Sequence, residues 1–203
     1  MSAVPKILAT LFHPLLMTTY GTAAYVFIIR RIDFLAAGNV NWLILGLIFA
    51  STFLLPLISV FIMYRFGMIG TMQMHTAKER NWPLIQSTVI YLVALFAMNT
   101  RIIPTFIQLL TLTAAVCMLE ALIINLWWKI SLHMIGIGGL CGALIITARN
   151  DSNVPLGLLS AVFVIAGIIG TARMIIGAHN IAQITAGFLL GIVSALVLFT
   201  LAG

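Results

Sequence analysis

The residues of this sequence best suited to chemistry are cations and imidazoles gathered into three short segments. Residues 75–83 read HTAKERNWP, residues 129–133 read KISLH, and residues 172–183 read ARMIIGAHNIAQ. Lysine and arginine bind phosphate or carboxylate oxygens, and histidine is the side chain that exchanges protons near neutral pH. If the fold brings the three segments together, they form an anion site that can also transfer protons.

The composition indicates which elements must position these segments. Hydrophobic residues make up 63% of the 203 residues and charged residues only 7%, whereas a soluble domain carries roughly 25% charged residues. Lipid must therefore solvate most of the chain, and long unbroken apolar runs form helices there because a helix satisfies its own backbone hydrogen bonds. The sequence predicts an all-α, polytopic transmembrane helix bundle of about six or seven spans, built as one integral membrane domain over residues 1–203.

Seven apolar runs approach the length of roughly 20 residues that a spanning helix needs. They are 7–29, 42–63, 84–98, 102–126, 131–148, 155–171 and 181–202. The third run is short, and the first contains His13-Pro14, which predicts a kinked or partly re-entrant helix. Two runs separate each chemical segment from the next. An even number of crossings places all three segments on one membrane face.

The predicted helix boundaries favour anion binding at that face. Ser131 and His133 open one helix and His179 opens another, and helix N-termini present free N–H groups and the positive end of the helix dipole. Lys129 and His133 are four residues apart, so they share a face where that stretch is helical. Arg173 and His179 are separated by a segment whose glycine can turn.

The third segment resembles the last signature of the type 2 phosphatidic acid phosphatase superfamily, which is written S-R-x5-H-x3-D. Arg173 is followed by five residues and then by His179, and Gly177 stands two residues before that histidine. Gln183 occupies the position of the family's aspartate, and Ala172 occupies that of its serine. The resemblance to these membrane lipid-phosphate phosphatases extends over residues 75–191.

The two earlier segments are similar to the other signatures of that superfamily. Ser131 and His133 match the P-S-G-H signature, with Ile130 and Leu132 at its remaining positions. The K-x6-R-P signature is represented out of frame by Lys78, Arg80 and Pro83. A solvated basic loop is the alternative interpretation of this first segment, and the role of His75 is left open.

The resemblance implies a divergent phosphatase that uses no metal and no cofactor. His179 would attack phosphorus and form a phosphohistidine, His133 would protonate the leaving oxygen, and Gln183 would orient His179. The side chains expected to bind the phosphoryl oxygens are Arg173, Ser131, Lys129, Lys78 and Arg80. The expected partner is a phosphorylated lipid, such as phosphatidate or an isoprenyl diphosphate, within the bilayer of a bacterial inner (cytoplasmic) membrane.

Other functional classes stay open on the sequence alone. Gln183 supplies no negative charge and Ala172 no hydroxyl, which favours a catalytically silent relative that binds a phosphorylated lipid head group. A haem-binding electron carrier using His133 and His179 would leave Arg173 without a role. The net charge of +6 is not accompanied by a basic patch with aromatic residues, so nucleic acid is not an expected partner.

Several further residues have a structural interpretation beside a functional one. Glu120 lies inside a predicted span, where it either relays protons in place of the missing aspartate or makes a structural hydrogen bond to a neighbouring helix. His13 is expected to be structural. Cys117 and Cys141 are interpreted as buried thiols. Two glycine pairs at a spacing of four predict close helix packing: Gly138 with Gly142, and Gly187 with Gly191.

Overall fold

Every described element of regular structure in the computed structural model is helical. The structure describes residues 3–30, 39–71, 77–98 and 102–202. For residues 77 and 78 it describes the backbone only. In chain order the helices are α1 Val4–Leu11, α2 Met17–Ala24, α3 Asn39–Arg65, α4 Ala77–Ala97, α5 Thr105–Asn125, α6 Leu132–Asn150, α7 Leu156–Ile175 and α8 Ile181–Ala202.

Five of the described helices are long and apolar enough to cross a membrane, namely α3, α5, α6, α7 and α8. Helix α1 and the stretch Pro14–Ile29 form a sixth candidate if this bent pair is one span. The prediction of an all-α chain is confirmed for the described residues, and the prediction of membrane spans agrees with the length and apolar composition of these helices.

The kink predicted in the first apolar run is present, with an angle of 41° between α1 and the stretch Pro14–Ile29. Pro14 has no N–H to donate and disfavours helical geometry at the residue before it. His13 is accordingly extended, with φ −61° and ψ 138°. The break leaves α1 as a separate short helix that packs against α7.

Helix α4 runs antiparallel to α5 along its length. At one end Nδ2 of Asn125 donates to Oδ1 of Asn81 at 2.9 Å, and at the other end Phe96 and Thr105 border one shallow groove. Helix α4 has 21 residues and is about 31 Å long. The apolar run 84–98 is shorter than the helix because the first turns of α4 are polar and contain Arg80.

A buried tyrosine supplies a hydrogen bond that a proline removes from α3. Pro56 has no N–H, so the carbonyl of Thr52 four residues earlier loses the donor of a regular helix. The hydroxyl of Tyr91 in α4 donates to that carbonyl at 2.9 Å, and the tyrosine is completely buried. This contact fixes α4 against α3.

Four glycines allow α6 and α8 to pack with their backbones in contact. A Cβ added at Gly138 would overlap a backbone carbonyl of α8. A Cβ at Gly187 would lie 2.8 Å from the carbonyl oxygen of Ser131, and Gly142 and Gly191 are equally crowded by backbone of the facing helix. The packing role predicted for both glycine pairs is confirmed. The contact at Gly187 brings the start of α6 against α8.

We expect Gly138→Ala to destabilise the protein, because the new methyl group would push α6 and α8 apart at a cost of about 1–3 kcal/mol. Thermal unfolding of the purified protein in detergent would then have a lower midpoint. Gly167→Ala in α7 is the matched control, since nothing lies within 4 Å of its added Cβ and alanine is the better helix former. An unchanged midpoint for Gly138→Ala would contradict the backbone contact.

Candidate functional site

A cavity of about 1030 Å³ brings together residues from all three chemical segments. Arg80 comes from the first segment, Lys129 and His133 from the second, and Arg173 and His179 from the third. Apolar side chains of α2, α3, α5 and α6 form much of the remaining wall. The sequence predicts that the three segments meet, and residues of all three do line this one cavity.

Backbone hydrogen bonds at the end of α7 fix the spacing of Arg173 and His179. The N–H of Gly177 donates to the carbonyl of Met174 at 2.9 Å, and the N–H of Ala178 donates to the carbonyl of Arg173 at 3.1 Å. Gly177 has φ +67°, a left-handed conformation that glycine adopts without a steric penalty at helix C-termini. The turn is therefore closed by a hydrogen bond to the carbonyl of Arg173. The chain that follows this turn reaches the cavity at His179.

The start of α8 orients the imidazole of His179. The N–H of Gln183 donates to Oδ1 of Asn180 at 2.9 Å, and the N–H of Asn180 donates to Oε1 of Gln183 at 3.2 Å, which is a reciprocal capping box. The same Oε1 lies 3.0 Å from Nδ1 of His179. Because the oxygen can only accept, Nδ1 carries the proton and the lone pair of the neutral ring is on Nε2.

Burial keeps His179 uncharged at neutral pH. Its side chain is 7% exposed, and burial lowers its pKa from 6.5 to about 4. The hydrogen bond to Gln183 opposes this shift, whereas the positive charges of Arg80, Arg173 and Lys129 add to it. A neutral imidazole with a free Nε2 is the form that can act as a nucleophile.

Three cations of the chemical segments, Arg80, Lys129 and Arg173, contribute to the cavity wall. No aspartate or glutamate is among the described residues that line the cavity. Nε of Arg173 is buried without a hydrogen-bond partner in the described part of the chain. Arg80, which is 8% exposed, donates to the carbonyl of Ile130 at 3.4 Å. Burial, followed by repulsion from Arg80 and Arg173, lowers the pKa of Lys129. An anion entering the cavity would relieve this repulsion.

His133 links the cavity to the N-terminal helix. Its Nε2 donates to the carbonyl of Ala9 in α1 at 2.9 Å, since a carbonyl oxygen can only accept. The ring of His13 lies edge-on to it, with ring centroids 5.8 Å apart. His13 and Lys6 both line the cavity. The site therefore includes two basic residues to which the sequence analysis assigns no functional role.

His13 also performs the structural role expected of it. Its Nδ1 accepts the N–H of Leu15 at 3.4 Å and caps the short turn that follows the break. Sequence periodicity gives no hint of its position in the cavity. The one available signal is that a histidine precedes proline inside an apolar run, which interrupts the helix and redirects the chain.

Three of the described site residues do not line the cavity, namely Ser131, Glu120 and Gln183, and the last of these contacts it through His179. Ser131 is completely buried beneath α8, and its Oγ has no hydrogen-bond partner among the described residues. Glu120 faces α8 in the middle of α5, where Oγ of Ser194 donates to its Oε2 at 2.7 Å. This contact agrees with the expected hydrogen bond to a neighbouring helix. The side chain of Lys78, like the whole of His75, lies outside the described residues.

Cys117 and Cys141 are buried free thiols, as expected. In the described ranges no group of three or more His, Cys, Asp and Glu residues is arranged to hold a metal ion.

Comparison of the chain with protein-family models, with curated proteins and with solved structures gave no match. The geometry and charge of the cavity are therefore the basis for a functional interpretation.

We expect Gln183→Glu to raise the pKa of His179 by about one to three units, because a carboxylate beside Nδ1 stabilises the imidazolium. Glutamate also preserves the capping box. The wild-type ring should take up its proton near pH 4, and that step should move upward in the variant, as followed by nitrogen NMR of histidine-labelled protein. Asn153→Asp, in the exposed turn after α6, adds the same charge as a control. A titration that does not move would contradict the His179–Gln183 contact.

Proposed function

We propose that this protein is a membrane phosphatase, a divergent member of the type 2 phosphatidic acid phosphatase superfamily, that hydrolyses a lipid phosphate or isoprenyl diphosphate. The observation that carries the proposal is a buried neutral His179, with Nδ1 held by Gln183, in the same cavity wall as Arg173. Nucleophile, orienting group and oxyanion-binding guanidinium are the parts that phosphoryl transfer through histidine requires.

The proposed reaction has two displacements at phosphorus. Nε2 of His179 bonds to phosphorus as the bond to the leaving oxygen breaks, and that oxygen takes a proton from His133. Water then attacks the phosphohistidine, which releases inorganic phosphate and restores the imidazole. Arg173, Arg80 and Lys129 stabilise the charge on the phosphoryl oxygens in both steps.

The role of His133 in this scheme is restricted by α1. Its Nε2 proton is donated to the carbonyl of Ala9, so the proton for the leaving oxygen would come from Nδ1. A ring that holds both protons at the moment of transfer is positively charged, and an anionic substrate favours that form. The acid step would therefore depend on the bound phosphate.

A lipid substrate follows from the walls of the cavity. Beside its cations lie apolar side chains of spanning helices, among them Leu57, Leu110 and Leu140. A phosphate group could be held by the cations while an attached hydrocarbon chain remains in apolar surroundings. We place the protein in a bacterial inner membrane as part of this proposal.

The same proposal includes seven crossings of the membrane, the upper of the two numbers that the sequence predicts. The bent pair of α1 with Pro14–Ile29 counts as one crossing, and α4 counts as another beside the five apolar helices. The antiparallel course of α4 along α5 supports this count, because Asn81 at its start meets Asn125 at the end of α5. The polar first turns of α4 then face the site.

A catalytically silent relative that binds a phosphorylated lipid head group is the second candidate. The favouring observation is that Oε1 of Gln183 is neutral and is shared between the backbone of Asn180 and the ring of His179. Loss of the negative charge from a comparable His–Asp pair lowers rates by about 10⁴-fold, although in that case the replacement amide also favours the wrong tautomer. Here the oxygen faces the ring, so the tautomer is retained.

We expect the wild-type protein to release phosphate from a panel of lipid mono- and diphosphates, and His179→Ala to lower this rate by on the order of 10³-fold or more, because the nucleophile is removed. Phosphate release from substrate in mixed micelles measures it. Arg149→Ala, at the exposed far end of α6, is the control for a substitution outside the cavity.

Two outcomes separate the candidates. A wild-type rate equal to that of His179→Ala would reject the enzyme. Lipid phosphate binding that persists in His179→Ala, together with no phosphate release by the wild type, would favour the head-group-binding relative.

A further inference from the structure

The cavity extends along the helices well beyond its basic residues. On α6 it is lined by both His133 and Leu140, which are seven residues apart, or about 10 Å of helix. On α5 the lining reaches Leu110. That residue lies 15 positions before Asn125, about 22 Å of helix, and Asn125 is bonded to Asn81 in the polar start of α4. The cavity therefore runs from the polar start of α4 into the membrane-spanning part of the bundle.

The deep end of the cavity, which is lined by Met17 of α2, Leu110 of α5 and Leu140 of α6, is apolar. In the described lining, α2 and α5 contribute no charged side chain. The hydroxyl of Thr113, near this end, donates to the carbonyl of Leu109 at 2.8 Å, so it needs no partner in the cavity. A hydrocarbon chain fits such surroundings, whereas an anion does not.

Leu110 and Leu140 close the deep end by packing against Gly21 of α2. A Cβ added at Gly21 would overlap Cδ2 of Leu110 and would lie 2.9 Å from Cδ1 of Leu140. The two leucines fit there because residue 21 has no side chain. The residues one turn deeper on the same three helices are completely buried and do not line the cavity, namely Thr22, Ile107 and Leu144. Leu110 and Leu140 thus form the floor of the cavity.

The volume of the cavity leaves room for more than a phosphate group. Its volume of about 1030 Å³ is at the upper end of pockets that bury most of a drug-sized ligand. A phosphate group at the basic end would occupy a small part of this space. The remainder, which ends at the floor, suits a chain attached to that phosphate.

We propose that the cavity encloses the hydrocarbon chain of its ligand, and that the floor formed by Leu110 and Leu140 sets the longest chain that the protein accepts. This specificity goes beyond the proposed function, on which it rests for the phosphate at the basic end. A chain that reaches the floor can become longer only by displacing leucines that are packed against α2, and overpacking of that kind is costly. A chain that left the cavity sideways into lipid would meet no such limit.

Binding of alkylphosphonates of increasing chain length, from octyl to tetracosyl, to the purified full chain in detergent tests this limit. Their carbon–phosphorus bond resists hydrolysis, so titration calorimetry measures affinity without turnover. Detergent and lipid chains are about as apolar as the leucines of the wall. At equal mole fraction in the micelle, affinity should therefore be level up to a cut-off length, and a few further carbons should lower it by about tenfold or more.

Two variants should move the cut-off length in opposite directions. Leu140→Ala removes atoms from the floor and should admit longer chains. Gly21→Ala should shorten the limit, because the new methyl group would push the flexible ends of Leu110 and Leu140 into the cavity. The matched controls are Leu189→Ala on the exposed face of α8 and Gly46→Ala, whose added Cβ has nothing within 4 Å. Neither should change the cut-off.

The length limit and the phosphatase can fail separately. A cut-off in the wild type without any phosphate release would retain the limit and reject the enzyme. Equal affinity over the whole series, or absence of binding at every length, would overturn the limit whether or not the protein releases phosphate. So would a cut-off that stays the same in Gly21→Ala, a variant that remains informative even if Leu140→Ala does not fold.

Discussion

The backbone contact between α6 and α8 is the constraint on which the site depends. Helices whose facing positions carry larger residues stay farther apart, and only glycine allows carbonyl groups to touch the opposing backbone. Here Gly187 is in contact with Ser131, one residue before α6 begins. The start of α6, with His133, is thereby fixed against the start of α8, with His179. Lipid provides no hydrophobic drive between such helices, so the close fit itself must hold them.

Around this contact the fold assembles groups that repel one another. Arginines from α4 and α7 and a lysine from the segment before α6 meet in a wall without carboxylates in its described part. Such an arrangement opposes folding unless other interactions are strong. The α6–α8 contact, the Tyr91 hydrogen bond to α3 and the Asn81–Asn125 pair fix the helices that carry these charges. These contacts thus hold the cations of the wall together against their mutual repulsion.

How much the sequence predicts depends on how local each relation is. Arg173, His179 and Gln183 are joined by one turn and one helix cap, so their spacing alone predicts their proximity. Lys129 and His133 are expected on the same side as these residues because two long apolar runs separate the segments. The true extent of α4 is hidden because its first turns are polar, although they lie beside the end of α5.

Spacing and hydrophobic runs do not predict how a helix is rotated about its axis. They also do not predict which distant parts of the chain come into contact. Ser131 stands two residues from His133 and yet is covered by α8, because the glycine contact occupies its side of the helix. Glu120 faces Ser194 instead of the cavity because of the way α5 is rotated about its axis. Lys6 and His13 reach the cavity only through the bend at Pro14, whose direction no periodicity of the sequence specifies.

The described lining of the cavity, which contains cations and no carboxylate, also has a consequence beyond direct contact. Fixed positive charges surrounded by low-dielectric helices and lipid create an electric potential that extends out of the opening, since little solvent is present to screen it. Anionic head groups diffusing in the leaflet would be drawn toward the opening before touching it. Such an attraction weakens as ionic strength shortens the screening length. The rate of capture would then vary with the salt and the lipid composition around the protein, while the arrangement of the bound complex would stay the same.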